Sequence, residues 1–320
     1  MKKIIKTILP LVLGGFLVWY SLSGMDKEKM LTYIKTANYW WVALGLFFGV
    51  LSHLSRAYRW KFLLQPMGYK PDFGNSTMAV LIAYLVNLAL PRAGEVSRAL
   101  VMANYEKIPF EKGFGTIIAE RIADLLMMFV IIGITLFVQF EFIYELLTKN
   151  FNPMKISIGL VLLLVGFFIF STYVKKSTKG IGLKIKNFVL SLSEGVMSIL
   201  KMKDKGKFIF HTVFIWVMYV AMFWATIPAI QVLEVPFGAV LVGFIAGGFS
   251  IAATNGGIGL YPIAVIGAFA LFDISKEPAE AFGWIMWSAQ TLMVVVFGGL
   301  AFLVLPIYNK NKKIVKELHN

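Results

Sequence analysis

Charge is scarce in this chain. Asp, Glu, Lys and Arg make up 15% of its 320 residues, where a soluble domain carries about a quarter. Cysteine is absent, which excludes disulfides, thiolate nucleophiles and Cys-ligated metals. Only three histidines occur, His53, His211 and His319, so imidazole chemistry is poorly supplied. There is no HExxH metal spacing, no serine elbow, no aspartate-rich pyrophosphate motif and no GxxxxGK[ST] phosphate loop. Zinc hydrolysis, serine hydrolysis and P-loop ATP hydrolysis are therefore not expected, nor is any cofactor. The longest polar stretch runs roughly from Lys175 to Lys207 and leaves no room for a separate soluble catalytic domain.

What the chain has is apolar sequence. Hydrophobic residues make up 58%, with a mean hydropathy of +0.76. Apolar segments of membrane-spanning length recur from end to end between short polar loops. The net charge of +14 needs no nucleic acid to explain it, because lysine and arginine collect in loops kept on the cytoplasmic side. There they also meet anionic headgroups. The opening run, Lys2-Lys3 with apolar sequence to Tyr20, reads as a retained first helix rather than a cleaved leader.

Charge also sets a topology. Candidate spans lie at about 4–22, 38–54, 113–140, 156–174, 208–232 and 280–305. Lys2, Lys3 and Lys6 put the N-terminus inside. Arg56, Arg59, Lys61 and Lys70 bring the chain back inside. The nine lysines between Lys175 and Lys207, and the tail 306–320 with Lys310, Lys312, Lys313 and Lys316, are inside too. Three simple crossings between 72 and 175 would put those nine lysines outside. The segment 73–112 is therefore expected to enter and leave from the cytoplasmic side, turning near Leu90-Pro91-Arg92. By the same parity 237–273 enters and leaves from the outside, breaking at Thr254-Asn-Gly-Gly-Ile-Gly259. The expected fold is an all-α polytopic membrane protein. It has six full spans and two re-entrant helical hairpins, about eight hydrophobic segments, in an inverted repeat with halves at about 1–140 and 156–305. The whole forms one transmembrane domain, with a basic cytoplasmic loop at 175–207. Part of that loop, 184–207, reads equally as an amphipathic helix on the inner leaflet or as a solvated loop.

Ionisable groups inside the apolar stretches mark candidate function, because charge at membrane depth is costly. The first hairpin supplies Asn87, Arg92, Glu95 and Arg98; the next helix supplies Glu120, Arg121 and Asp124. Arg92, Glu95 and Arg98 share a face if helix resumes after Pro91, and Glu120 and Asp124 stand at i, i+4. Arginine suits bidentate binding of phosphate. These six charges sum to zero. They fit a salt-bridge network that pins the hairpin, and they fit a switchable site where a lipid phosphate displaces a carboxylate. On the second hairpin Asn255, Gly256 and Gly257 offer backbone amides for an anion, or a close helix crossing. Tyr58-Arg59-Trp60 reads as an interface anchor. His53 reads as a packed or interface residue.

With these residues in view, the chain resembles the flippase-like transmembrane family named after the lysylphosphatidylglycerol synthetase transmembrane region. The resemblance rests on Arg56-Ala-Tyr-Arg-Trp60, Asn87 to Pro91-Arg-Ala-Gly-Glu95 with Arg98, Glu120-Arg121 with Asp124, and Gly256-Gly-Ile-Gly259. In relatives the glycine motif is often preceded by proline and followed by an acidic residue; here Asn255 and Pro262 stand at those places. The resemblance implies a bacterial inner-membrane protein that moves a polar-headed, phosphate-containing lipid between leaflets, without the aminoacyl-transferase domain of the best-known relatives. Two other functions stay open: a membrane enzyme acting on lipid-linked substrates, and a non-transporting partner of a lipid-modifying synthase docked on the 175–207 loop.

Overall fold

A computed structural model of the chain describes residues 2–90, 92–150 and 152–318. Pro91, expected at the turn of the first hairpin, lies outside them. The described residues form α-helices joined by short turns, with no strand. A first series holds α1 (Lys2–Ser23), α2 (Lys27–Thr36), α3 (Tyr39–Leu64), the pair α4 (Phe73–Ala89) and α5 (Ala93–Glu106), and α6 (Phe110–Val138). After α7 (Phe140–Asn150) come α8 (Pro153–Lys176), α9 (Gly180–Lys201), α10 (Lys205–Thr226), the pair α11 (Phe237–Ala253) and α12 (Leu260–Ala270), and α13 (Lys276–Leu318). Three of the described helices, in α6, α10 and α13, are long and apolar enough to cross a membrane. Residues 73–89, 237–253 and 260–270 form shorter apolar helices.

The helix limits follow from local chemistry. The side chains of Asp26, Asn38 and Asp72 accept hydrogen bonds from the first free backbone N–H groups of α2, α3 and α4. The segment 23–37, between the first two expected spans, thus contains a capped helix. At the first break Leu90 is extended and Arg92 takes the left-handed conformation, φ 61°. At the second break Gly256, Gly257 and Gly259 all have positive φ, a region that costs an L side chain roughly 1–2 kcal/mol.

Backbone contacts divide the chain into two compact units, 1–120 with 206–320, and 121–205. In the first unit α13 packs against α2, α3, α4 and α12, so one helix touches both broken pairs. Part of its core is aromatic. Phe223 of α10 meets Phe282 of α13 edge-on at 5.0 Å, and Phe282 stacks on Phe269 of α12 at 5.6 Å. Met78 and Ile82 of α4 pack on Ala301 and Leu305 of α13. At each end of α13 a polar clamp holds a neighbour. Asn309 exchanges side-chain hydrogen bonds with Asn75, and Tyr308 donates to Asp72 at 3.0 Å. At the other end Lys29 of α2 bonds Glu277 at 3.1 Å.

In the second unit α7 packs on α8 and α8 on α9. Residues 180–201 are helical; the side chains of 191–198 lie outside the described residues. Large apolar side chains face outward in both units, with Trp40 84% exposed in the first and Phe137 84% in the second. Such a surface suits lipid rather than water.

Candidate functional site

α3 is the helix on which the site is built. His53, Arg56 and Trp60 fall at i, i+3 and i+7, on one face of that helix. All three are buried, as is Arg59. Arg59 and Arg98 converge from α3 and α5 on Glu120 of α6. Arg98 Nη1 donates to Glu120 Oε2 at 2.5 Å, and Arg59 Nε stands 3.5 Å from Oε1. Glu120 is 1% exposed and Arg59 fully buried. A buried ion set repays its desolvation only with good geometry and further hydrogen bonds. Here Arg59 Nη1 also donates to Thr212 Oγ1 of α10 at 2.9 Å, and the guanidinium lies over the Phe208 ring. The Arg98 guanidinium lies 3.7 Å from the centre of the Trp60 ring. Trp60 in turn donates from Nε1 to Thr116 Oγ1 at 2.8 Å. Trp60 is therefore a platform beneath Arg98 and not an interface anchor; Tyr58, two residues earlier, is exposed.

A second polar group adjoins the first. Arg56 Nη2 donates to the Tyr219 hydroxyl at 3.4 Å, and that hydroxyl lies 3.2 Å from the hydroxyl of Tyr84. The His53 ring sits 4.5 Å from that of Tyr84 and 6.3 Å from that of Tyr219. These four residues join α3, α4 and α10.

The sequence-predicted residues separate on the structure. Asn87 acts at the break: its Oδ1 accepts from the Gly94 backbone N–H at 2.8 Å, bridging the interrupted helices. Gly94 permits this, because a Cβ there would collide with the Ala83 carbonyl oxygen. Arg92 does not join the face of α5 that Glu95 and Arg98 share at i, i+3. Arg92 precedes the helix and is exposed, Glu95 is half-buried and Arg98 is buried. Arg121 and Asp124 fall in the second unit, Arg121 exposed and Asp124 buried. Arg56 and Arg59, read in the sequence as votes for topology, are the buried cations that sequence reasoning missed. The signal was present in their helical register with Trp60. Among the described residues no group of three His, Asp or Glu side chains could hold a metal ion.

At the second break Asn255 and Gly256 are half-buried and Gly257 is buried. Gly256 does two things. Its carbonyl oxygen accepts from Trp287 Nε1 of α13 at 2.9 Å. A Cβ on it would overlap Leu88 Cδ2, at the end of α4. The tips of the two broken pairs thus meet within the first unit.

Residues 7–299 match the lysylphosphatidylglycerol synthase TM region. The chain belongs to that family. The matched residues include both breaks and all the buried arginines described above. A UPF0104 membrane protein of Methanocaldococcus jannaschii is 21% identical over 97% of this chain and 98% of its own length. Glycosyltransferase AglD of Haloferax volcanii is 31% identical over 113 residues, which are 35% of this chain and 18% of that protein. No solved structure matches. Family, composition and helices together make this a multi-pass membrane protein.

Proposed function

We propose that this protein moves a polar-headed phospholipid between the leaflets of a bacterial inner membrane. The pairs α4–α5 and α11–α12 act as re-entrant hairpins, entering from the cytoplasm and from the outside, within six spans arranged as an inverted repeat. Both termini are cytoplasmic. The headgroup passes where the hairpin tips meet, while the acyl tails stay in the bilayer. The observation that carries this reading is the buried Arg59–Glu120–Arg98 set beside the first broken hairpin. Charged groups at such depth are expensive, and they mark substrate pathways by default. The two broken helix pairs support it, since such pairs in corresponding halves are a recurrent transporter plan. Arginine holds the phosphate and a carboxylate yields to it, so the resting ion set is exchanged for a ligand set at little net cost in charge.

The test is reconstitution into vesicles carrying fluorescent phospholipids. Wild-type protein should speed the loss of inner-leaflet protection. Arg98→Lys, which keeps the charge and loses the fork, should slow it strongly, and Arg92→Ala should slow it less. Equal rates for wild type and both variants would sink the assignment. A second reading draws on the relative named a glycosyltransferase: the chain then serves a lipid-modifying enzyme as a non-transporting partner. Stable co-purification of such an enzyme, with no lipid movement by the isolated chain, would favour it.

A further inference from the structure

The residues beside the ion set carry a more specific assignment. His53 is 93% buried, and neither ring nitrogen has a hydrogen-bond partner. Leaving a buried polar group unpaired is costly, and imidazole carries two such groups. A packed aromatic residue could fill the space between Tyr84 and Tyr219 without that cost. Arg98 shows the same pattern. Its Nη1 holds Glu120, while Nε and Nη2, buried, have no partner. Nε and Nη2 form one edge of the guanidinium, the edge that binds two oxygens of a phosphate or carboxylate side by side. Arg56 stands one helical turn before Trp60 on α3, and Arg98 lies over the Trp60 ring at 3.7 Å. Arg56 also lies within reach of His53. The hydroxyls of Tyr84 and Tyr219 stand together, with the Arg56 guanidinium on the second and the His53 ring against the first.

We propose that His53, Arg56, Tyr84, Tyr219 and Arg98 form an oxyanion seat for a phosphoryl group. Arginine has only donors, tyrosine hydroxyls can donate, and a neutral imidazole donates from one nitrogen. A donor-rich, cationic, buried site selects an oxyanion and repels an ammonium group. The seat spans α3, α4, α5 and α10, so it lies off the hairpin break and extends the site beyond Arg92 and Arg98. His53 orients the bound oxyanion through its N–H, and the Arg98 edge takes two of its oxygens. This assignment rests on the flippase reading for the source of the ligand, though not for its chemistry.

Equilibrium binding to the purified full chain tests it with three probes: dihexanoylphosphatidylglycerol, inorganic phosphate and dihexanoylglycerol. Wild type should bind the phospholipid over the phosphate-free glyceride. His53→Phe, of similar shape and without nitrogens, should weaken phospholipid binding by about tenfold or more and leave the glyceride unchanged. A folded His53→Phe that binds the phospholipid as wild type does overturns the seat. Should that variant fail to fold, the wild-type chain answers alone. With three histidines in the sequence, the 15N-histidine spectrum can be assigned with His211→Gln and His319→Gln. The His53 ring nitrogens should shift on adding phospholipid or phosphate, and a His53 signal unmoved by both overturns the proposal. Phosphate binding with the phospholipid excluded upholds the oxyanion chemistry and assigns the source to the free anion. Binding lost in His53→Phe, with no lipid movement by wild type, upholds the seat and refutes the flippase. Lipid movement by wild type, with unchanged binding in His53→Phe, does the reverse.

Discussion

Between Phe73 and Glu106 the first broken hairpin carries Arg92, Glu95, Arg98 and Glu106; between Phe237 and Ala270 the second carries no Asp, Glu, Lys, Arg or His. Both stop a helix after 17 residues. The first does so with an arginine in the left-handed region and an asparagine that bridges the gap. The second does so with three positive-φ glycines against which α1, α4 and α12 press closely. One break thus places charge, and the other sets close backbone approach. An interruption in a membrane helix need not be a binding site; it can serve as the surface against which another site closes.

That division can be broken by substitution, and the largest effect belongs to the charged side. Glu120→Ala removes the carboxylate between two buried arginines and should destabilise by about 3–5 kcal/mol, read as a fall in the thermal midpoint in detergent. Glu120→Gln, which keeps the shape, separates the charge from the packing. On the glycine side, Gly259→Ala puts a Cβ 2.5 Å from the Val18 nitrogen and 2.6 Å from the Leu17 carbonyl carbon, at φ +68°. Strain and overpacking together should cost about 2–4 kcal/mol. If Gly259→Ala is harmless while Glu120→Ala is severe, the second break is looser than its packing implies. The clamps on α13 refine the comparison further. Asn309→Leu leaves the Asn75 amide without its reciprocal partner at the base of the first hairpin and should cost about 1–3 kcal/mol. Arg92→Gly relieves a left-handed arginine and should leave stability equal or up to about 1 kcal/mol higher, measured by the same melts.

The smallest effect is expected at the other clamp. Lys29 and Glu277 are exposed, so Lys29→Met should not move the midpoint measurably at physiological salt. The hydrogen bond and charge of Glu277 raise the Lys29 pKa. A raised cation pKa means that whatever the pair contributes is fully present below the unfolded value of about 10.4 and fades as pH rises through the folded value. Melts of wild type and Lys29→Met should therefore show no pH-dependent difference between about pH 6 and about pH 9.

Much of this architecture was legible in the sequence, and for identifiable reasons. Glycine at Gly256 and Gly259 and proline at Pro91 interrupt apolar runs in a way that propensity alone detects. Glu120 and Arg98 stand out because charge is scarce around them. Arg56 and Arg59 were harder. They sit near the end of α3, where basic residues ordinarily face the cytoplasm, so composition assigned them to topology. Only the packing of α5, α6 and α10 turns them inward, and that is a tertiary fact. Trp60 misled for the same reason, since a tryptophan near a helix end looks like an interface anchor until Arg98 is seen to cover it. Arg92 failed differently: its expected face assumed that helix resumes at once, whereas its left-handed backbone sends it elsewhere.

The contact of Leu88 with Gly256 has an electrical consequence. In the proposed arrangement the breaks approach from opposite sides, and Leu88 of the first lies against Gly256 of the second. A membrane voltage would then fall mainly across Leu88 rather than across the whole hydrocarbon thickness. A charge carried past it would exchange about 2.3 kcal/mol with each 100 mV over that short step. Leu88 would thereby form a thin dielectric, and the charge carried past it, not the bulk of the side chain, would set how steeply transport responds to potential.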